Sequence, residues 1–160
     1  YRRRLRGMVG GTDADRATAS RTEHNMTQYI AAYFIAALVF GILDYLWLSN
    51  MAESLYRPVI GEIMADEFRK APAMIFYAIY LFGIVWFGIK PALVSGQWTT
   101  ALLNGALFGA IAYATYDLTS QAVLKVWSTK ISLYDIAWGS FATGVTAALT
   151  AWLVLRFVKA

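Results

Sequence analysis

Cysteine is absent from the 160 residues, and histidine occurs once. Without cysteine there is no disulfide framework and no thiolate chemistry. The single histidine, His24, lies in a polar N-terminal stretch, which leaves no basis for a histidine-built metal site or triad. Charge is also scarce. Only 15% of the residues are charged, where soluble domains carry about 25%. What fills the chain instead is apolar: 59% of the residues are hydrophobic, and the mean hydropathy is +0.49. These residues come in long blocks, the signature of transmembrane segments. The net charge of +4 comes mostly from the N-terminal stretch and does not point to nucleic acid.

Residues 1–25 carry Arg2, Arg3, Arg4, Arg6, Arg16 and Arg21 with few large apolar side chains. They read as a polar, basic, flexible extension. No short apolar core with a cleavage site follows, so a signal peptide is not expected. Residues 26–160 read as one membrane domain with spans at about 28–48, 72–94, 99–121 and 132–157. Each is close to the roughly 20 residues that cross a bilayer core. The polar connection over 51–71 is expected to hold a short amphipathic surface helix over 59–70. Pro91 is placed to kink or end the second span, and Ser95-Gly96-Gln97 reads as a tight turn before Trp98, an interfacial anchor. The expected fold is an all-α integral membrane four-helix bundle, up-down-up-down, because short connections make neighbours antiparallel. Gly105 and Gly109, spaced as GxxxG, and Gly144 are expected to form close-packing faces.

Three aspartates stand at the edges of the apolar runs: Asp44, Asp117 and Asp135. With four crossings all three fall at the same membrane face, whichever way the chain inserts. Asp135 follows Ser132 at capping-box spacing, which gives it a structural explanation. Asp44 and Asp117 fall near helix C-termini, where the dipole disfavours an anion, so capping does not account for them. Reaching headgroup water, or pairing with Lys125, Lys130 or Arg57, would. Otherwise they mark a pocket, since ionisable residues inside spans usually face a bundle interior. Tyr113, Asp117 and Ser120 share one helical face, and Tyr116 and Trp138 lie on the same side of the membrane. The candidate pocket is therefore Asp44, Tyr113, Tyr116, Asp117, Ser120, Asp135 and Trp138. Three carboxylates could hold a hard cation, but single scattered aspartates make no metal motif, and no metal or cofactor is assigned.

Asp44-x-x-Trp47, Tyr113-x-x-Tyr116-Asp117-Leu118-Thr119, Trp127 and Asp135-x-x-Trp138-Gly139 occur in this order. In these elements the chain resembles the bacterial membrane-protein family catalogued as domain of unknown function 2177, from about Met26 to the C-terminus. Ser120 and Ser128 stand where that family often has Asn and Pro. The resemblance implies a four-span protein of the bacterial inner membrane with no established activity. Counting the N-terminal arginines, positive charge favours termini in the cytoplasm; a chain starting at Met26 would weaken or reverse that balance. The lipid bilayer is the expected partner, and a larger membrane-protein complex is a candidate one. Three functions remain open. The first is an accessory or structural subunit packed against such a complex, favoured by the small size and small-residue faces. The second is an enzyme or carrier handling a lipid or amphiphile through an Asp/Tyr pocket. The third, weaker, is proton or ion translocation, for which Asn104 and Thr115 are the obvious polar steps.

Overall fold

The computed structural model describes the backbone of residues 13–158 and the side chains of Arg16 and of residues 26–158. Residues 1–12 of the expected N-terminal extension lie outside the described residues. From Asp13 onward the backbone is helical and runs without a break into the first apolar run. Four long helices follow one another: α1 (Asp13–Met51), α2 (Lys70–Ser95), α3 (Trp98–Val123) and α4 (Thr129–Phe157), with no strand among the described residues.

The chain makes two wide turns, one just after α1 and one within α2, and a proline explains each. Beyond α1 the chain makes a π-helical turn at Ala52–Tyr56 before Arg57-Pro58, then winds through Arg57–Ile60 and a 3-10 turn at Gly61–Ile63. Within α2 a π-helical turn at Ile84–Ile89 precedes Lys90-Pro91. Proline has no N–H and its ring crowds the preceding turn, and a widened turn relieves that crowding without ending the helix. The expected helix over 59–70 is thus corrected. Helical structure continues past the first span to Ile63, and the chain before Arg69 then turns irregular. The turn before Trp98 forms as expected, with Gly96 at φ 70°, the left-handed conformation that glycine adopts freely.

Burial recurs every four residues along two helices. Ala32, Ala36, Phe40 and Asp44 form the buried stripe of α1, while Ala101, Gly105, Gly109 and Asp117 form that of α3. Four-residue ridges are the ordinary contact surface of packed helices. Each stripe consists of small or apolar residues and ends in an aspartate. The α3 stripe meets α4 at backbone distance. A Cβ on Gly105 would lie 2.9 Å from the Thr143 carbonyl and 2.7 Å from Ala147 Cβ, and one on Gly109 would strike the Gly139 carbonyl. Gly144 faces Ala106 and the Leu102 carbonyl. These three glycines therefore pack α3 on α4, in opposite directions, and α2 joins them where Gly88 faces Gly105 and Ala147. α4 lies deepest, with Thr143, Thr146, Ala147, Thr150 and Ala151 all buried.

Three helical stretches are long and apolar enough to cross a membrane: Met26–Ile63, Lys70–Ser95 and Thr129–Phe157. α3 is of comparable length but is not among them, because Asn104, Tyr113, Thr115, Tyr116 and Asp117 dilute its apolar character. The large apolar side chains that point outward, among them Phe34, Leu38, Ile79, Leu103 and Phe141, form the surface a bilayer would cover.

Candidate functional site

Asp117 ends the buried stripe of α3 and is 0% exposed. Neither of its oxygens has a hydrogen-bond donor among the described residues. Its polar neighbour is Asp135 on α4, itself 5% exposed, and the two carboxyls lie within hydrogen-bonding reach of each other. Two carboxylates offer only acceptors, so that contact becomes a bond when one of them holds a proton. Asp135 Oδ1 accepts from the Tyr56 hydroxyl. The Tyr56 oxygen in turn accepts from Trp47 Nε1 at 2.9 Å. Trp47 stacks on Trp138 with ring centroids 4.6 Å apart and planes 8° from parallel. The wide turn after α1 sets Tyr56 within reach of Asp135, linking the end of the first apolar run to α4.

Asp44 makes a parallel arrangement next door. It is 8% exposed and accepts from the Tyr77 hydroxyl of α2. It lines its own groove of about 360 Å³ with Phe40, Tyr45, Leu48 and Leu81. Among the described residues none of the three aspartates pairs with a basic side chain, so the alternative of pairing with Arg57, Lys125 or Lys130 is corrected. The ion pair among the described residues joins Arg57 to Glu53 at 2.9 Å on the surface. Lys130 lies over the Tyr134 ring and Lys90 over the Trp86 ring.

A cleft of about 530 Å³ opens beside this network. Its walls are Tyr56, Phe76, Tyr80, Ala112, Tyr113, Tyr116 and Asp135. Three of the sequence-derived residues, Tyr113, Tyr116 and Asp135, thus line one cavity. Asp117 stands directly behind Asp135. Asp44 faces the neighbouring groove, and Trp138 packs under Trp47 with its Nε1 buried and unpartnered. Ser120 is half-buried and outside the cleft; its carbonyl accepts the Leu124 N–H at 2.8 Å as α3 ends. Tyr113 lies on Gly139, where a Cβ would collide with its ring. Tyr80 stacks on Phe108 and shares a 2.7 Å hydrogen bond with Thr143.

The capping explanation of Asp135 is also corrected. Helix α4 starts at Thr129, and its cap is Ser128, whose Oγ accepts the Ile131 N–H at 3.4 Å. Ser132 is inside the helix and busy elsewhere: its Oγ accepts from Trp127 Nε1 at 3.0 Å and donates to Gln121 Oε1 at 2.8 Å. Asp135 is therefore a buried side chain facing the cleft. Sequence reasoning missed Tyr56, Phe76 and Tyr80 as cleft residues and Tyr77 as the partner of Asp44. The available signal was the Tyr77/Tyr80 pair at i, i+3 in the otherwise apolar stretch 73–89. Among the described residues no three His, Cys, Asp or Glu side chains gather closely enough to hold a metal ion.

Fold and site together define a helical membrane protein with buried carboxyls and phenols gathered at one end of its packed helices. The chain belongs to the family described as "Predicted membrane protein (DUF2177)", whose model matches residues 29–152. That range takes in all three aspartates and every residue lining the cleft. No curated protein and no solved structure matches the chain.

Proposed function

We propose that the protein is a four-span, up-down-up-down bundle of the bacterial inner membrane that holds an amphiphile in the cleft at its aspartate end. The observation that carries this reading is the cleft itself. It is walled by aromatic rings suited to an alkyl chain, and Asp135 with the Tyr56 hydroxyl that donates to it forms a polar end. The opposed packing of α3 on α4 supports alternating crossings, with α3 as the fourth span sheltered by α4. The basic N-terminal stretch supports termini on the cytoplasmic side and the aspartates on the other. An accessory-subunit role draws less support, because Gly105, Gly109 and Gly144 are occupied within the chain.

A photoreactive alkyl-diazirine lipid, added to the full chain in nanodiscs, tests the reading. Saturable labelling within 112–116, competed by unlabelled lipid and abolished by Ala112→Trp, is the expected result. Even labelling over all outward-facing residues would overturn it.

One observation favours proton translocation as a second reading. Thr143, Thr146 and Thr150 are fully buried on the same helix as Asp135, and the Thr146 and Thr150 hydroxyls have no partner. With Tyr80 on Thr143 they extend the polar seam well beyond Asn104 and Thr115. Proton flux into proteoliposomes that falls in Thr146→Val would support it, and flux equal to that of empty vesicles would exclude it.

A further inference from the structure

The cleft gathers negative charge and aromatic faces but no positive charge. Asp135 lines it, and Asp117, fully buried with both oxygens unpartnered, stands behind Asp135. No lysine or arginine is among the lining residues. Two of the basic side chains at the same end are engaged elsewhere, Arg57 with Glu53 and Lys130 with the Tyr134 ring. A phosphate or carboxylate head would therefore meet like charge and find no counter-charge. A neutral head would leave that charge unbalanced. A cation would offset it, and the rings of Phe76, Tyr113 and Tyr116 line the cleft around it, where a free ring face recognises an ammonium group. The lack of a third close ligand disfavours a bare metal ion, which needs several oxygens.

We propose that the cleft selects an ammonium-headed amphiphile, its cationic head held by Asp135, with the buried Asp117 adding negative charge behind it, and its alkyl chain by the aromatic wall. The proposal rests on the amphiphile-binding reading above and adds the charge of the head. The same ammonium chemistry is available from a free long-chain amine and from an ethanolamine lipid headgroup.

The test uses the full chain in maltoside micelles, titrated separately with dodecylamine, dodecanol and dodecanoate. Binding is followed by tryptophan fluorescence and by counting adducts in native mass spectra. Dodecylamine is expected to saturate at one per chain, about ten-fold tighter than dodecanol, as a charge-assisted contact warrants. Dodecanoate is expected to bind most weakly. Asp135→Asn should lose the preference for the amine while still binding dodecanol. Asp135→Glu, which keeps the charge, should retain it and guards against misreading a folding defect.

Equal binding of amine and alcohol by the native chain would overturn the ammonium proposal and leave the amphiphile reading standing. Absence of binding by all three probes would overturn both. A phosphatidylethanolamine adduct that survives purification and is lost in Asp135→Asn would assign the head to a lipid. Dodecylamine binding without such an adduct would assign it to a free amine.

Discussion

Tyr56 shows what a single hydroxyl does at this site. It donates to Asp135 and accepts from Trp47, so its removal frees a carboxylate oxygen and an indole N–H at once. An unsatisfied buried polar group costs about 1–3 kcal/mol. Tyr56→Phe is expected to lower the thermal midpoint in micelles and to quench or shift the Trp47 fluorescence, whereas Tyr45→Phe, on an exposed side chain, should change neither. The glycines give the opposite kind of prediction. Gly109→Ala places a methyl against the Gly139 carbonyl and the Thr143 side chain, and overpacking of this sort costs about 1–3 kcal/mol. Gly41→Ala meets open space and should be neutral or slightly stabilising. Comparative melting of the two variants checks the pair.

Residue-level chemistry was only partly legible in the sequence. Asp44 and Asp117 stand out because a carboxylate at the end of an apolar run needs a reason, and burial of both gives one. Asp135 reads as a capping residue only while the start of α4 is placed at Ser132. The true cap, Ser128, precedes it by one helical turn, a shift that moves Asp135 from the helix mouth to the bundle interior. Tyr56 was hidden for a different reason. It lies in a stretch whose polar composition reads as a loop, and only the π-helical turn carries it back over Asp135.

At the scale of elements, the two wide turns follow one rule, a basic residue and a proline immediately after them. A π turn holds an extra residue, and each residue of an α-helix turns the face by about 100°. The turn in α2 therefore sets the phase between its first half, which carries Tyr77 and Tyr80, and its second, which carries Ile89 and Ala92. Deleting Phe87 should restore an α-helical register and rotate the first half away from Asp44 and Thr143. The expected result is a folded but destabilised chain that loses both tyrosine contacts, visible as a changed near-ultraviolet circular dichroism signal. Pro91→Ala, which removes the crowding, should leave the register in place. The helices themselves were legible from their apolar runs, and Gly105 and Gly109, spaced as GxxxG, lie where α3 meets α4. The wide turns were not, because nothing in local composition distinguishes a proline that ends a helix from one that dilates it.

For the whole molecule, the absence of cysteine is an experimental asset. Single cysteines at Ser95, Asp66 and Lys125 can be labelled from one side of the membrane in an otherwise thiol-free chain. Alternating crossings predict that Asp66 and Lys125 react from the same side and Ser95 from the opposite one. Identical sidedness of all three would refute the four-span arrangement. The number of spans is the feature that sequence and structure weigh differently, and α3 is the reason. Its one face carries the buried stripe that ends in Asp117, and α4 covers it.

That dependence has a consequence for how the chain is made. An aspartate at mid-span adds about 2.5–3.5 kcal/mol to the insertion of an isolated helix, and less towards its end, where Asp117 sits; α3 is also the one of the four that is not apolar enough to count as a span by itself. Released alone into lipid, it would expose Asn104 and Asp117 before any partner arrived. α3 is therefore expected to linger at the insertion machinery until α4 has been synthesised, and the two should partition into the bilayer as a hairpin. A glycosylation-reporter fusion truncated after Val123 should report incomplete insertion of α3, and one truncated after Phe157 should report full insertion. In this view the last helix is the step that commits the third to the membrane, and with it the aspartate that the site is built around.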